Sequence, residues 1–300
     1  MISLQQVHKF VLKTPDQRLV TARFCATKWL AKLTFAPHKV RLRLTHATEV
    51  RFWWSCFPDA VPPEADSIYS YWGADAGDLR LLWRLLRPGM TFFDIGAYHG
   101  IYTVLAAKRM GETGSVAAFE PSRRELRRLA FHLRLNGLSS VGLVPCAVGS
   151  EEGDVTFFTV LARNAMRNGL RAPLCADAVE TVVVHKKTMD NYLEQSGTTA
   201  VDLVKIDTEG AELEVFRGAQ RLLTQLRPLV ICEVLDSSTE PWGYPARDIV
   251  SRLQGHGYGW FDIQRDGSLL PHSLREEYPE VRNYLAVPEE KLDRVREFIG

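Results

Sequence analysis

The sequence predicts an α/β protein built on a largely parallel sheet and preceded by a basic N-terminal extension. Three observations carry that prediction. From residue 78 onward, apolar runs of strand length alternate with helical patterns, the signature of successive βαβ units. Residues 90–104, MTFFDIGAYHGIYTV, read as a strand, a glycine turn and a helix. Residues 1–51 carry Lys9, Lys13, Arg18, Arg23, Lys28, Lys32, Lys39, Arg41, Arg43 and Arg51 against only Asp16 and Glu49, in a chain whose net charge is +1.

At 300 residues, 46% hydrophobic and 24% charged, the chain has ordinary globular composition and enough length for a large core. A net charge of +1 argues against a dedicated nucleic-acid binder, whose affinity rests on a basic excess. The five cysteines, Cys25, Cys56, Cys146, Cys175 and Cys232, are odd in number and scattered, with no CxxC pair. That usage points to a reducing, cytoplasmic setting. No apolar run approaches the ~20 residues that span a bilayer, and the N-terminus lacks the apolar core of a signal peptide.

In chain order, residues 19–33 have a mixed pattern that reads as helical, and VRLRL at 40–44 alternates like a half-buried strand. The basic excess suits an anionic substrate, a polymer or peripheral contact with a membrane surface, although such runs most often form solvated faces. Arg51-Phe52-Trp53-Trp54 and the prolines at 58–63 follow; the aromatic side chains suit packing better than a sugar platform. We place the domain boundary here, with an extension over residues 1–77 and the α/β domain over 78–300. Residues 78–86 have one apolar helical face, ended by Pro88-Gly89.

After the glycine turn, residues 116–119 form a second strand that stops at Glu120. Ser122 caps a helix whose apolar face is Leu126, Leu129 and Leu133, and Asn136-Gly137 ends it. Residues 141–148 read as the third strand. Residues 155–160 and 182–185 read as an added pair, with a long polar loop at 161–178 that suits disorder or a substrate lid. Residues 201–206 are the fourth strand, with a helix over 211–223. Residues 229–232 are the fifth, ending in Glu233. A helix over 247–255 and strands at 258–263 and 284–287 close the domain. No internal repeat is visible.

The glycine turn sets the chemistry. Glycine tolerates positive φ and lets a ligand approach the backbone. Glu120 lies twenty residues past Gly100, an offset at which an acid takes the two hydroxyls of a ribose. A pyrophosphate-binding turn needs glycine at its middle position and no acid before it. Here Asp94 precedes the turn and Tyr98 fills that middle position. Asp94 repels a pyrophosphate but suits an ammonium. S-adenosylmethionine carries both a ribose and an ammonium.

A second constellation follows the fourth strand: Val204-Lys205-Ile206-Asp207-Thr208-Glu209-Gly210-Ala211-Glu212. Parallel strands bring Asp207 to the sheet edge that also carries Asp94 and Glu120. Acids packed there hold a cation, share protons or do chemistry. Glu212 instead belongs to the first helical turn, where the dipole favours negative charge.

DIGAYHG, Phe119-Glu120-Pro121 and KIDTEGAE at 205–212 together resemble the FkbM family of S-adenosylmethionine-dependent methyltransferases, and RPLVICEV and NYLAVP extend the likeness over residues 78–287. The resemblance implies a Rossmann-like, seven-stranded methyltransferase sheet with helices on both faces, and methylation of hydroxyl oxygens on sugars or natural products. By position, Asp94, Gly96, Ala97, Tyr98 and Gly100 would hold the methionine end, Glu120 and Pro121 the ribose, and Cys146, Ala147 and Val148 the adenine surroundings. Asp207 would lie beside the transferable methyl. Tyr98 departs from the family, which commonly has Asn there.

The chemistry asks for alignment of an acceptor oxygen and removal of its proton. Asp207, Glu209 and Glu233 are the candidate bases. A divalent cation on two of these carboxylates would do the same work. Of the histidines, His99 alone sits in the cofactor turn. The expected function is therefore O-methylation of a sugar, glycan or natural product from S-adenosylmethionine in the cytoplasm. The alternatives are methylation of a protein, lipid or nucleic acid, and a non-catalytic cofactor-binding partner in a biosynthetic assembly.

Overall fold

The structure, a computed structural model, describes residues 76–300 apart from 162–167 and 174–177, together with two upstream strands. The chain divides into two compact units, Met1–Ala76 and Gly77–Gly300. In the first, β1 (Lys39–Arg43) and β2 (Glu49–Trp53) pair antiparallel, so the alternating run expected at 40–44 begins one residue earlier. The helical pattern at 19–33, the prolines at 58–63 and most of the basic residues lie outside the described residues.

The second unit runs α1 (Ala76–Leu85), β3 (Thr91–Ile95), α2 (Ile101–Met110), β4 (Ser115–Phe119), α3 (Arg123–Asn136), β5 (Gly142–Val144), β6 (Ala147–Val148), β7 (Gly153–Val160) and β8 (Val179–Lys187). It continues with α4 (Met189–Ser196), β9 (Leu203–Ile206), α5 (Glu212–Arg217), β10 (Leu229–Glu233), α6 (Arg247–Gln254), β11 (Tyr258–Ile263), β12 (Leu269–Pro271) and β13 (Asn283–Pro288). Eight strands form one sheet in the order β12-β11-β13-β10-β9-β3-β4-β5. The β5 to β10 half is parallel, and β13 enters antiparallel between β10 and β11. The expected seven strands are present. The eighth, β12, is a short edge strand that pairs back on β11 after a turn through Gly267, where φ is 83°. From β3 the chain moves outward to β4 and β5, then returns to β9 on the other side. Ligands of open α/β sheets bind at such a reversal, here beyond the carboxyl ends of β3 and β9.

Three local expectations are corrected. Residues 141–148 are two strands: β5 stays in the main sheet, while β6 pairs with β8 in a three-stranded sheet with β7. Pro145 lies between them and has no N–H to continue a ladder. The pair expected at 155–160 and 182–185 is longer, and β7 and β8 pair along their lengths. The helix expected over 211–223 stops at Arg217, because Gly218 packs so tightly that a Cβ there would lie 2.0 Å from the Gly149 carbonyl oxygen. The chain restarts where the Asp190 carboxylate accepts from the Gln220 and Arg221 N–H groups, each at 2.9 Å.

Strand alternation gives the sheet two unlike faces. One is apolar throughout: Phe93, Ile95, Phe119, Val204, Ile206, Val230, Cys232, Tyr284 and Ala286 pack with Met189 and Leu193 of α4, Val215 and Phe216 of α5, and Ile249, Val250 and Leu253 of α6. Phe93 meets Phe119 and Tyr192 edge-to-face at 5.7 and 5.6 Å. The intervening residues face the other way, and toward the carboxyl edge that second face becomes polar. Asp94 is in register with Lys205 in the next strand, and Glu233 is opposite Asn283. No helix among the described residues is long and apolar enough to cross a membrane.

Candidate active site

Backbone geometry builds the first turn. Gly96 has φ 82°, and a Cβ there would lie 1.8 Å from the Asp207 carbonyl oxygen, so only glycine lets the β3 and β9 loops meet. The Gly96 and Ala97 N–H groups both donate to Phe119 O at 3.0 Å. Tyr98 takes φ 47°, a left-handed conformation that costs a non-glycine residue ~1–3 kcal/mol. Two contacts hold it: its N–H donates to Glu120 Oε2 at 2.8 Å, and its ring stacks on His99 with centroids 3.6 Å apart. Gly100 opens α2 with no side-chain cap. The positive end of that helix faces the turn.

The acids expected on this edge are there. Asp94 is 1% exposed and accepts from Thr103 Oγ1 at 2.5 Å. Burial pushes its carboxyl up to about 6, against the Thr103 hydrogen bond and the Lys205 ammonium. Glu120 is 5% exposed, with Oε1 accepting from Ser122 N–H and Oε2 from Tyr98 N–H, both at 2.8 Å. Burial dominates here too and pushes it up to about 8. Pro121, beside it, is half-buried. The Glu120 N–H donates to Val144 O, which also accepts from Cys146 N–H. Cys146, Ala147 and Val148 are therefore near this end, but all three side chains are buried, and Cys146 and Val148 belong to the apolar core.

His99 is not a spare base. It is 5% exposed, and its Nε2–H donates to Glu125 Oε2 at 2.6 Å, where Arg128 also donates at 3.0 Å. Its carbonyl accepts from His132 Nδ1–H at 2.7 Å. Burial lowers the His99 pKa below 6.5, leaving a neutral ring as donor. Burial also works against the Glu125 charge, but the His99 hydrogen bond and the Arg128 and Arg124 guanidinium groups outweigh it and pull the carboxyl down to about 2. Sequence reading missed this network. Ser122-x-x-Glu125 has capping-box spacing, and the Ser122 hydroxyl does accept from Glu125 N–H at 3.4 Å. The Glu125 side chain, however, turns inward to His99.

In the second constellation, Lys205 is 1% exposed and its Nζ donates to Asp207 Oδ2 at 3.0 Å, with Asp207 34% exposed. Burial alone would strip the Lys205 proton, but Asp207, Glu233 and Asp94 together hold the ammonium charged. Its Nζ also sits 5.0 Å from the centroid of the Tyr102 ring. Glu209 has φ 56° and Gly210 φ 94°, a turn tied down by Glu212, whose Oε1 accepts from the Thr208 N–H at 2.7 Å and its hydroxyl at 2.9 Å. Glu212 is thus an organiser of the loop, as its helical position suggested. Glu233 is 8% exposed, and Ser238 Oγ donates to its Oε2 at 3.4 Å. Burial first, then the charges of Asp207, Glu209 and Glu212, raise its carboxyl well above the usual range. Of the three candidate bases, Asp207 is thus ion-paired to Lys205, and Glu233 is buried with its carboxyl raised.

Two further residues complete this edge. Asn283 Nδ2 donates to Asp78 Oδ2 at 2.6 Å, and Tyr102 Oη lies 3.5 Å from the same oxygen. No group of three or more His, Cys, Asp or Glu side chains among the described residues is arranged to hold a metal ion.

The sequence profile of the methyltransferase FkbM domain matches residues 94–295. Methyltransferase sdnD of Sordaria araneosa is 32% identical over 200 residues, covering 58% of this chain and 74% of that protein. The 31-O-demethyl-FK506 methyltransferase FkbM of Streptomyces tacrolimicus is 28% identical over 206 residues, with the same two coverages. Methyltransferase 1 of Beauveria bassiana is 28% identical over 160 residues, 48% of this chain, which spans 64% of that protein's length. The matched stretch begins at Asp94 and takes in Glu120, Asp207, Glu233 and Asn283, so the sheet edge described above lies inside it, and the chain belongs to the FkbM methyltransferase family.

Proposed function

We propose that the domain transfers a methyl group from S-adenosylmethionine to a hydroxyl of a sugar, glycan or natural product. The observation that supports this is that Asp94, Glu120, Asp207 and Glu233 stand at the carboxyl ends of β3, β4, β9 and β10, beside the strand switch point. When bound, the cofactor supplies an already activated methyl group on a sulfonium. Asp94 would take its ammonium, and that added positive charge would bring the raised carboxyl back down and keep it ionised. The uncapped start of α2 suits a carboxylate. Glu120 has one lone pair left on each oxygen after its two N–H bonds, enough for the two ribose hydroxyls. Around the Cys146, Ala147 and Val148 segment, contact with the base would run through backbone.

On the acceptor side, Glu233 takes the proton of the attacking hydroxyl once it has itself ionised. The Lys205–Asp207 pair fixes a charge beside it, and the Glu209 turn follows on the same sheet edge. The Streptomyces relative is by its name a methyltransferase of 31-O-demethyl-FK506, which agrees with a hydroxyl target. Calorimetry tests the cofactor half: S-adenosylmethionine and its demethylated product bind, and NAD does not. Asp94→Asn weakens the methionine-bearing ligands by ~1.5–3 kcal/mol while leaving adenosine nearly unaffected. Tight NAD binding by the unaltered protein overturns the reading. Radiolabel transferred from S-adenosylmethionine to a cell extract, then fractionated, identifies the acceptor class.

A further inference from the structure

The sheet edge has a polar group that the chemistry above leaves unused. Asn283 is 5% exposed, and its Oδ1 is buried with no hydrogen-bond partner. A buried, unsatisfied carbonyl is costly, and it persists where a ligand completes it. Its amide is not free to turn, because Nδ2 is committed to Asp78 Oδ2 at 2.6 Å. Directly across the β10–β13 ladder stands Glu233. Residues opposed in this way share a face with Cβ atoms ~4.5–5.5 Å apart. A residue with a buried acceptor oxygen and one with a carboxyl group thus leave the sheet from opposed positions on one face.

A hydroxyl has one proton and can give it to only one of them. Resting on the proposed methyl transfer, we propose that Glu233 and Asn283 form a two-point subsite for a neutral polyol, Glu233 taking the reacting hydroxyl and Asn283 Oδ1 accepting from the hydroxyl on the neighbouring carbon. The surrounding charge favours a neutral ligand. Asp78, Asp207 and Glu209 lie on this edge, and the Lys205 ammonium is engaged by Asp207. A phosphate or carboxylate on the acceptor would meet these acids at close range.

The test uses the full chain, radiolabelled S-adenosylmethionine and extract of the source cells as acceptor. Treating the extract with periodate, which cleaves neighbouring diols, abolishes labelling, and label from untreated extract passes through an anion exchanger unretained. Asn283→Ala and Asn283→Gln each raise the half-saturating amount of extract at least tenfold, with the plateau rate falling less. Both variants keep the melting temperature within a few degrees and bind S-adenosylhomocysteine as the unaltered protein does. Full labelling after periodate, label retained with polyanions, an unchanged half-saturation, or a parallel loss of S-adenosylhomocysteine affinity overturns the subsite. Failure of the unaltered protein to bind S-adenosylhomocysteine overturns the methyltransferase reading instead.

Discussion

The two faces of the main sheet divide the work. On one, Phe93, Ile95, Val204, Ile206, Val230 and Tyr284 are buried among helices α4, α5 and α6. The other carries Asp94, Lys205, Asp207, Glu233 and Asn283 at its edge, with burial equally deep at Lys205 and Asp94. Burial itself does not separate them; what burial does to each side chain separates them. On the apolar face, removal from water stabilises the fold by ~25 cal/mol per Å². On the polar face it raises the carboxyls of Asp94 and Glu233 and demands the Lys205–Asp207 pair, a standing cost that a binding site repays.

The contrast is broken most directly at Glu233. Glu233→Gln lowers turnover by ~10²–10⁴ if the carboxyl is the base, with unfolding by denaturant unchanged or slightly delayed. In the unaltered protein the Glu233 carboxyl is raised, so the base form grows with pH, and kcat/KM climbs as pH rises above the usual carboxylate range. That climb is absent in the Gln variant; a climb that persists assigns the titration to another group. Phe93→Ala, one residue before Asp94 and on the opposite face, has the converse effect. It costs ~3–5 kcal/mol of stability, read from the denaturant midpoint, while turnover per folded molecule stays close to normal.

Asp207→Asn sharpens the comparison, because there function and stability meet. It strands the buried Lys205 ammonium, so it destabilises as well as slowing the reaction. The loss falls at the low end of ~3–5 kcal/mol, since Asp94 and Glu233 remain near the ammonium and Asp207 is itself 34% exposed. If Asp207→Asn unfolds at the unaltered midpoint, the ion pair does not support the fold.

The smallest effect is at Glu120. Its carboxyl is raised to about 8, and only the ionised form accepts both ribose hydroxyls. Below that value binding must expel a proton, so adenosine affinity, which involves no methionine end, rises about tenfold from pH 7 to 9 and then levels off. A flat profile, measured by calorimetry, removes Glu120 from the ribose site.

The sequence by itself determined the alternation of strands and helices, the glycine turn, and which acids stand at strand ends, because each is a local matter of period and backbone conformation. Gly96, Asp94, Glu120 and Asp207 were legible for that reason, as was the Ser122 cap. The tertiary structure decided the rest. Pro145 sent β6 to a second sheet, and close packing of Gly218 on Gly149 cut short the helix after β9. Glu125 has capping-box spacing from Ser122, yet its side chain partners His99, 26 positions away. Asn283 meets Asp78 across 205 positions. Neither pairing has a local signal. The ionisation of each acid followed the same logic: Glu125 and Glu233 are both buried, but guanidinium groups surround the first and carboxylates the second, so one is driven down and the other up. Residue type and spacing put a carboxyl at a strand end; only the neighbours brought by folding decide whether it keeps its proton.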